Sequence, residues 1–282
     1  MREASVIAPR SLREALRAVG RKGVVAVAGG TDLLVRLHDV AAGERPSFLV
    51  LDGVRTLHSI APRGKGLALG PLVTFSEIER SSLLRTLAPQ LVEAASVAGS
   101  VQIRNRATLG GNIANGSPAG DLLPPLYVLS ARLELSYSGG RRQVMIEDFF
   151  KGPGETVLRR NELITRVVFE RSQNRGFFLR LAVRRALAIS KVSVAANVSL
   201  RNGRVQSVRI ALGAVAPTVL RASRTEEYLL GRELDRDSIE TACGLASGEA
   251  APIDDIRSEA DYRREMVGVL LGRGLLRIAS AR

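Results

Sequence analysis

The sequence has 282 residues and a single cysteine, and its 41 Lys and Arg against 28 Asp and Glu leave a net charge of +13. At ~100–200 residues per domain this length suggests two domains, or three small ones, each with a real core, which excludes a mini-protein held by staples. Lone Cys243 excludes an intrachain disulfide and, from this chain alone, a four-cysteine zinc site or iron–sulfur cluster; the positive charge is scattered rather than clustered, which argues against nucleic acid.

Met1-Arg2-Glu3-Ala4-Ser5-Val6-Ile7 carries an early acid and lacks the unbroken apolar stretch of a secretory signal, so a cytoplasmic chain is expected. Ser11-Leu12-Arg13-Glu14 has capping-box spacing and predicts a helix to about Val19, ended by Gly20 and Gly23. Val24 to Val27 reads as a short buried strand running into Ala28-Gly29-Gly30-Thr31-Asp32, and Leu33 to Leu37 opens a helical turn. Phe48 to Leu51 is the next strand, closing a β-α-β style unit within the first 55 residues.

A second set starts with a strand over Leu67 to Leu69 and a capping box at Thr74-Phe75-Ser76-Glu77. Leu83, Leu84, Leu87, Leu91, Ala94, Ala95 and Ala98 keep helical spacing across Pro89, which predicts a helix pair. From Gln102 to Pro125 no period of 2 or 3.6 is sustained, and a long functional loop is expected there. Strands follow at Arg132 to Tyr137 and Leu163 to Phe169, then at Gly176 to Val183, Val192 to Leu200 and Val205 to Leu212. The last two are joined through an Asn202-Gly203 hairpin signal. Helices are expected near Ala222 to Leu230, Asp235 to Ser247 and Asp261 to Ala279, giving an α+β chain with a boundary near 171–176. No window reaches the ~18 apolar residues of a membrane span, since even Met266 to Leu276 is cut by Arg273. A position at the inner membrane face would need a partner.

Two glycine segments carry the chemistry: Ala28-Gly29-Gly30-Thr31-Asp32, and Thr108-Leu109-Gly110-Gly111-Asn112 running on to Ser117 and Asp121. Adjacent glycines let backbone amides approach a ligand, and two such loops suit a pyrophosphate. The hydroxyls of Thr31, Thr108 and Ser117 and the amide of Asn112 add donors without charge. The competing reading is that these are ordinary turns, with Thr31 or Asp32 as a helix cap. Neither a G-x-G-x-x-G after the first strand nor a G-x-x-x-x-G-K-[ST] is present, so Rossmann and P-loop folds lose their support.

Taken together, about 80 residues apart, these segments resemble the FAD-binding subunit of the molybdenum hydroxylases, the medium subunit of carbon monoxide dehydrogenase and bacterial xanthine dehydrogenase-type enzymes. The resemblance rests on Ala28 to Leu34, on Gln102-Ile103-Arg104-Asn105-Arg106-Ala107-Thr108-Leu109-Gly110-Gly111-Asn112-Ile113, and on Asp121-Leu122-Leu123-Pro124. It implies a two-subdomain, PCMH-type (vanillyl-alcohol-oxidase-like) FAD-binding domain over 1–172, divided near 55, and a smaller α+β domain over 173–282. It implies non-covalent FAD held by Ala26, Val27, Ala28, Gly29, Gly30, Thr31, Asp32 and Leu33 and by Thr108, Leu109, Gly110, Gly111 and Asn112. Asp121 would meet the ribityl or ribose hydroxyls and Lys191 the isoalloxazine ring. The competing readings are Asp121 as a cap for the helix at Leu122 and Lys191 as a surface strand residue.

The resemblance further implies partners: a small [2Fe-2S] subunit and a large subunit with the molybdenum cofactor, arranged as a dimer of heterotrimers, with a terminal electron acceptor beyond. One cysteine agrees with clusters held elsewhere, and an arginine-rich surface suits subunit docking. A stand-alone flavin oxidase or reductase would need a proton donor in a substrate pocket, and no candidate stands out; a basic binding protein without cofactor is the remaining alternative. His38 and His58 have no partner at metal-ligand spacing, and Asn115-Gly116-Ser117 fits a glycosylation pattern without secretory context. Cys243 is expected in a helix core and Asp254-Asp255 in a solvated loop.

Overall fold

The computed structural model describes residues 5–41, 44–170, 175–184 and 186–280. Its first unit holds β1 (Val6–Ile7), α1 (Leu12–Val19), β2 (Val24–Val27), α2 (Leu33–Arg36) and β3 (Ser47–Val50), in a parallel sheet of order β1-β3-β2. Parallel pairing of β2 with β3 demands a crossover, and the first glycine segment with α2 is part of it. Ser11 caps α1, its Oγ accepting from the Glu14 amide at 3.3 Å. The return arm of the expected box is not made to Ser11: the Glu14 carboxylate accepts from the Arg10 amide at 2.9 Å, one residue upstream. Ala15, Ala18, Val24, Leu49 and Leu57 form this unit's core.

The second unit contains β4 (Ile60–Arg63), β5 (Gly66–Leu69), α3 (Phe75–Arg80), α4 (Ser82–Leu87), α5 (Pro89–Val97), α6 (Val101–Arg104), α7 (Leu109–Asn115) and α8 (Leu123–Val128). It continues with β6 (Arg132–Tyr137), β7 (Gly140–Met145), β8 (Phe150–Gly152), β9 (Glu155–Thr156) and β10 (Leu163–Glu170). Its antiparallel sheet has the order β4-β5-β10-β6-β7. Both arms of the Thr74–Glu77 capping box are present, at 3.2 and 2.7 Å, and Pro89 starts α5, where its missing amide costs no bond.

The long loop expected over 102–125 is corrected: most of it folds as α6, α7 and α8, of four, seven and six residues. Helices this short leave no readable 3.6 period. They are set by their ends instead: Ser100 and Thr108 cap α6 and α7, Gly116 at φ +62° closes α7, and prolines occupy the first turn of α8.

The third unit is a sheet of order β11-β12-β13-β14, from β11 (Arg175–Ala182), β12 (Ser190–Arg201), β13 (Arg204–Gly213) and β14 (Leu220–Arg221), with α9 (Ser223–Leu229), α10 (Arg236–Glu249) and α11 (Ala260–Ser280). Asn202 and Gly203 both take positive φ, 52° and 78°, as a two-residue primed turn requires. β12 is buried on both faces, and its side chains alternate between two cores. Val192, Val194, Ala196 and Val198 join the core with α10 and α11, whereas Ala195 packs into the core of the second unit. Neighbours Phe177 and Phe178 split the same way, 0% and 3% exposed, each burial worth about 1.5–3 kcal/mol.

Asp254 and Asp255 are not simply solvated: Asp254 accepts from the Ala260 amide at 2.5 Å, and Asp255 pairs with Arg263 and Arg257. Cys243 is half-buried against α11. No helix among the described residues is long and apolar enough to cross a membrane.

Candidate functional site

The two glycine segments, one from each of the first two units, line a single cleft of about 310 Å³. Ala26, Ala28, Gly29, Gly30, Thr31, Asp32 and Leu33 contribute from the first, and Thr108, Gly110, Gly111 and Asn112 from the second. Val27 and Leu109 are buried residues off its wall.

Close packing or backbone conformation requires glycine at three of these positions. A β-carbon on Gly29 would collide with the Arg106 backbone carbonyl, and one on Gly110 would stand 2.5 Å from the Pro71 side chain. Gly30 takes φ +77°, which side chains rarely tolerate.

The two segments are chemically unlike. Among the described residues the amides of Gly29, Gly30, Thr31, Asp32 and Leu33 donate to no protein acceptor. Those of the second segment are spent: Leu109 on Val73, Gly110 on Pro71, Asn112 on the Thr108 carbonyl and Gly111 on the Thr108 hydroxyl, at 2.7 to 3.1 Å. Thr108 is therefore the cap of α7, and Asp32 makes no side-chain cap to α2. Among the described residues, amides left free for the donor role expected of both loops are therefore found in the first and not in Leu109 to Asn112 of the second.

The second segment offers a bare glycine surface and the Oδ1 of Asn112, buried without a hydrogen-bond donor. Unpaired amides suit phosphate oxygens, and an orphaned buried acceptor suits a ligand hydroxyl. The donor set therefore fits a diphosphate joined to sugar-like hydroxyls, which is the middle of an FAD molecule.

Two side-chain hydrogen bonds bridge the first and second units. An Arg36 N–H donates to Asn115 Oδ1, and Arg106 Nη2 donates to Asp52 Oδ2 at 3.3 Å. Glu162 lies on the wall with its carboxylate already engaged by Arg142 at 2.7 and 2.8 Å and by the Arg159 amide at 2.9 Å. The Arg142 bonds are the main reason its carboxyl is held below the usual range. Arg36, Asn115, Phe75, Ile103, Glu162 and Ile164 were not among the candidates from sequence. Arg36 was the detectable one, a cation one helical turn after the glycine segment; Glu162 and Ile164 arrive through sheet pairing, which leaves no local signal.

Three other candidates lie off this wall. Ser117 makes a turn, its Oγ accepting from the Ala119 amide at 3.3 Å. Asp121 is buried, and both carboxylate oxygens are taken at 2.6 Å, by Arg180 of β11 and by the Ser190 hydroxyl of β12. It does not cap α8. Lys191, the next residue along β12, holds its ammonium 5.7 Å from the centre of the Tyr262 ring. Through Arg180 and Ser190, Asp121 ties the second unit to the third.

Residues 2–169 match the family model described as the FAD binding domain in molybdopterin dehydrogenase, and residues 177–278 match the CO dehydrogenase flavoprotein C-terminal domain. The carbon monoxide dehydrogenase medium chain of Hydrogenophaga pseudoflava is 30% identical over 272 residues, covering 95% of this chain and 94% of that one. The xanthine dehydrogenase FAD-binding subunit of Escherichia coli O157:H7 is 30% identical over 246 residues, 86% and 84% of the two chains. A solved structure of reconstituted CO dehydrogenase from Oligotropha carboxidovorans superposes with a TM-score of 0.93 at 27% identity, covering 99% of this chain and 98% of that one. With both segments of the resemblance meeting in one cleft, the chain belongs to the FAD-binding medium subunits of the molybdenum hydroxylases of carbon monoxide and xanthine dehydrogenase type.

Proposed function

We propose that this chain is the electron-transfer subunit standing between the [2Fe-2S] clusters of a small partner subunit and a terminal acceptor. The substrate is then hydroxylated at a molybdenum cofactor in a large partner. The carrying observation is the row of unpaired amides from Gly29 to Leu33, set opposite the Gly110-Gly111 surface in one cleft. Bound FAD would supply the redox chemistry, since a flavin can collect electrons one at a time from one-electron clusters and pass them on singly or as a pair.

The chain's own residues bind and orient. The amides of Gly29 to Leu33 hold the diphosphate, Gly110 and Gly111 let the ligand approach the backbone, and Asn112 Oδ1 accepts from a hydroxyl. Ala26, Ala28 and Thr108 complete the wall, while Val27 and Leu109 pack behind it. Lys191 is assigned to the isoalloxazine side on the resemblance, and Asp121 holds the hydroxyl of its neighbour Ser190. The domain division near 172 and a dimer of heterotrimers belong to the same reading, as does a cytoplasmic location with any membrane position supplied by partners.

The test is to purify the full chain with its partner subunits, release the flavin with denaturant and identify it by chromatography. One FAD per chain is expected, with substrate-dependent reduction of an added acceptor that stops when this subunit is omitted. A complex that contains the chain but neither binds FAD nor loses acceptor reduction without it would overturn the reading.

A further inference from the structure

We infer that Arg36 is the counter-ion of the bound diphosphate, a role that rests on the flavin reading above and deepens it. The charged residues on the described wall of the cleft are Asp32, Arg36 and Glu162. Glu162 is neutralised by Arg142. Among the described residues the Asp32 carboxylate meets only the Thr31 hydroxyl, at 3.5 Å, and the amides of Gly29 to Leu33 can donate hydrogen bonds but carry no net charge. A diphosphate bound there brings negative charge, and Arg36 is the cation this wall provides among the described residues.

The side chain is prepared for that task. Its recorded bond is to Asn115 Oδ1, a neutral acceptor across the cleft, and it has no carboxylate partner among the described residues. A guanidinium has five N–H donors, so the amide of Asn115 orients it while leaving most donors and the whole charge available. A carboxylate at that place would have quenched the charge before a ligand arrived. Arg36 closes the helical turn that starts directly after the glycine segment, so amides and cation are presented by one continuous stretch of chain. Arginine also matches phosphate oxygens with two parallel charge-assisted bonds.

The experiment titrates the flavin-stripped full chain with FAD at low and high salt, following flavin fluorescence, with thermal melting of the flavin-free protein alongside. Arg36→Gln is expected to weaken FAD binding by roughly tenfold to a hundredfold and to flatten its salt dependence. Its flavin-free melting should stay that of the wild type, because Arg36 is exposed. Arg36→Lys should recover much of the affinity and the salt dependence. Asn115→Ala, which frees the guanidinium without removing its charge, should cost only a few-fold and keep the salt dependence.

Unchanged affinity and salt response in Arg36→Gln would overturn the assignment. So would Asn115→Ala reproducing the full loss, because the pair would then be a clasp between units and not a counter-ion site. A wild-type chain that takes up no FAD in this assay or in its complex removes the flavin reading itself, and Arg36 falls with it.

Discussion

A β-carbon built on Gly29 would stand 1.9 Å from the carbonyl oxygen of Arg106. The first glycine segment therefore rests backbone to backbone on the stretch leading into the second, beside the cleft that both segments line. Gly29→Ala must push the two units apart: a loss of about 1–3 kcal/mol, the usual cost of overpacking, is expected in denaturant unfolding of the flavin-free protein, together with reduced FAD content. Gly111→Ala meets only the Thr108 hydroxyl, at 2.9 Å, and should cost less stability. Equal stability of Gly29→Ala and wild type would show that this contact is not needed.

Arg180 and Asp121 form an ion pair with both side chains under a tenth exposed, 7% and 8%. Removing one partner strands a buried charge, so Arg180→Met should lose about 3–5 kcal/mol in urea unfolding. Replacing both, Arg180→Met with Asp121→Leu, should recover much of that loss. A single variant as stable as the wild type would contradict the pair's role in joining the second and third units.

Asp255 is held down to about 2 from the usual 3.8, chiefly by the hydrogen bond from Arg263. Its folded value lies below its unfolded one, so the stabilisation is fully present above pH 3.8 and is lost as pH falls toward about 2. Urea midpoints measured across that window should fall in the wild type and flatten in Arg263→Met, measured relative to each protein's value near neutrality. Parallel acid profiles for the two proteins would count against it.

Burial is the main cause pushing the Cys243 thiol above its ordinary range. The thiolate fraction at neutral pH is accordingly small, and reaction with a disulfide reagent should be slow in the native chain and fast in urea. A native rate equal to that of free cysteine would show the thiol to be accessible and unshifted.

The sequence by itself determined the local features. Thr74 and Glu77 sit three residues apart and make their capping box; Asn202-Gly203 makes its turn; Val192 to Leu200 read as a strand and form most of β12. The glycine segments were legible because positive φ and close approach select one residue type. The sequence did not contain the inequality between them: whether an amide is free depends on what lies opposite, and Pro71 and Val73 take the second segment's amides from another part of the chain. Arg180 likewise reaches Asp121 across 59 residues, and Arg36 reaches Asn115 across 79. Propensities and caps act within about one helical turn, so they specify elements and their ends; which buried charge meets which partner is settled only when tertiary packing brings distant segments together and burial makes an unpaired group costly.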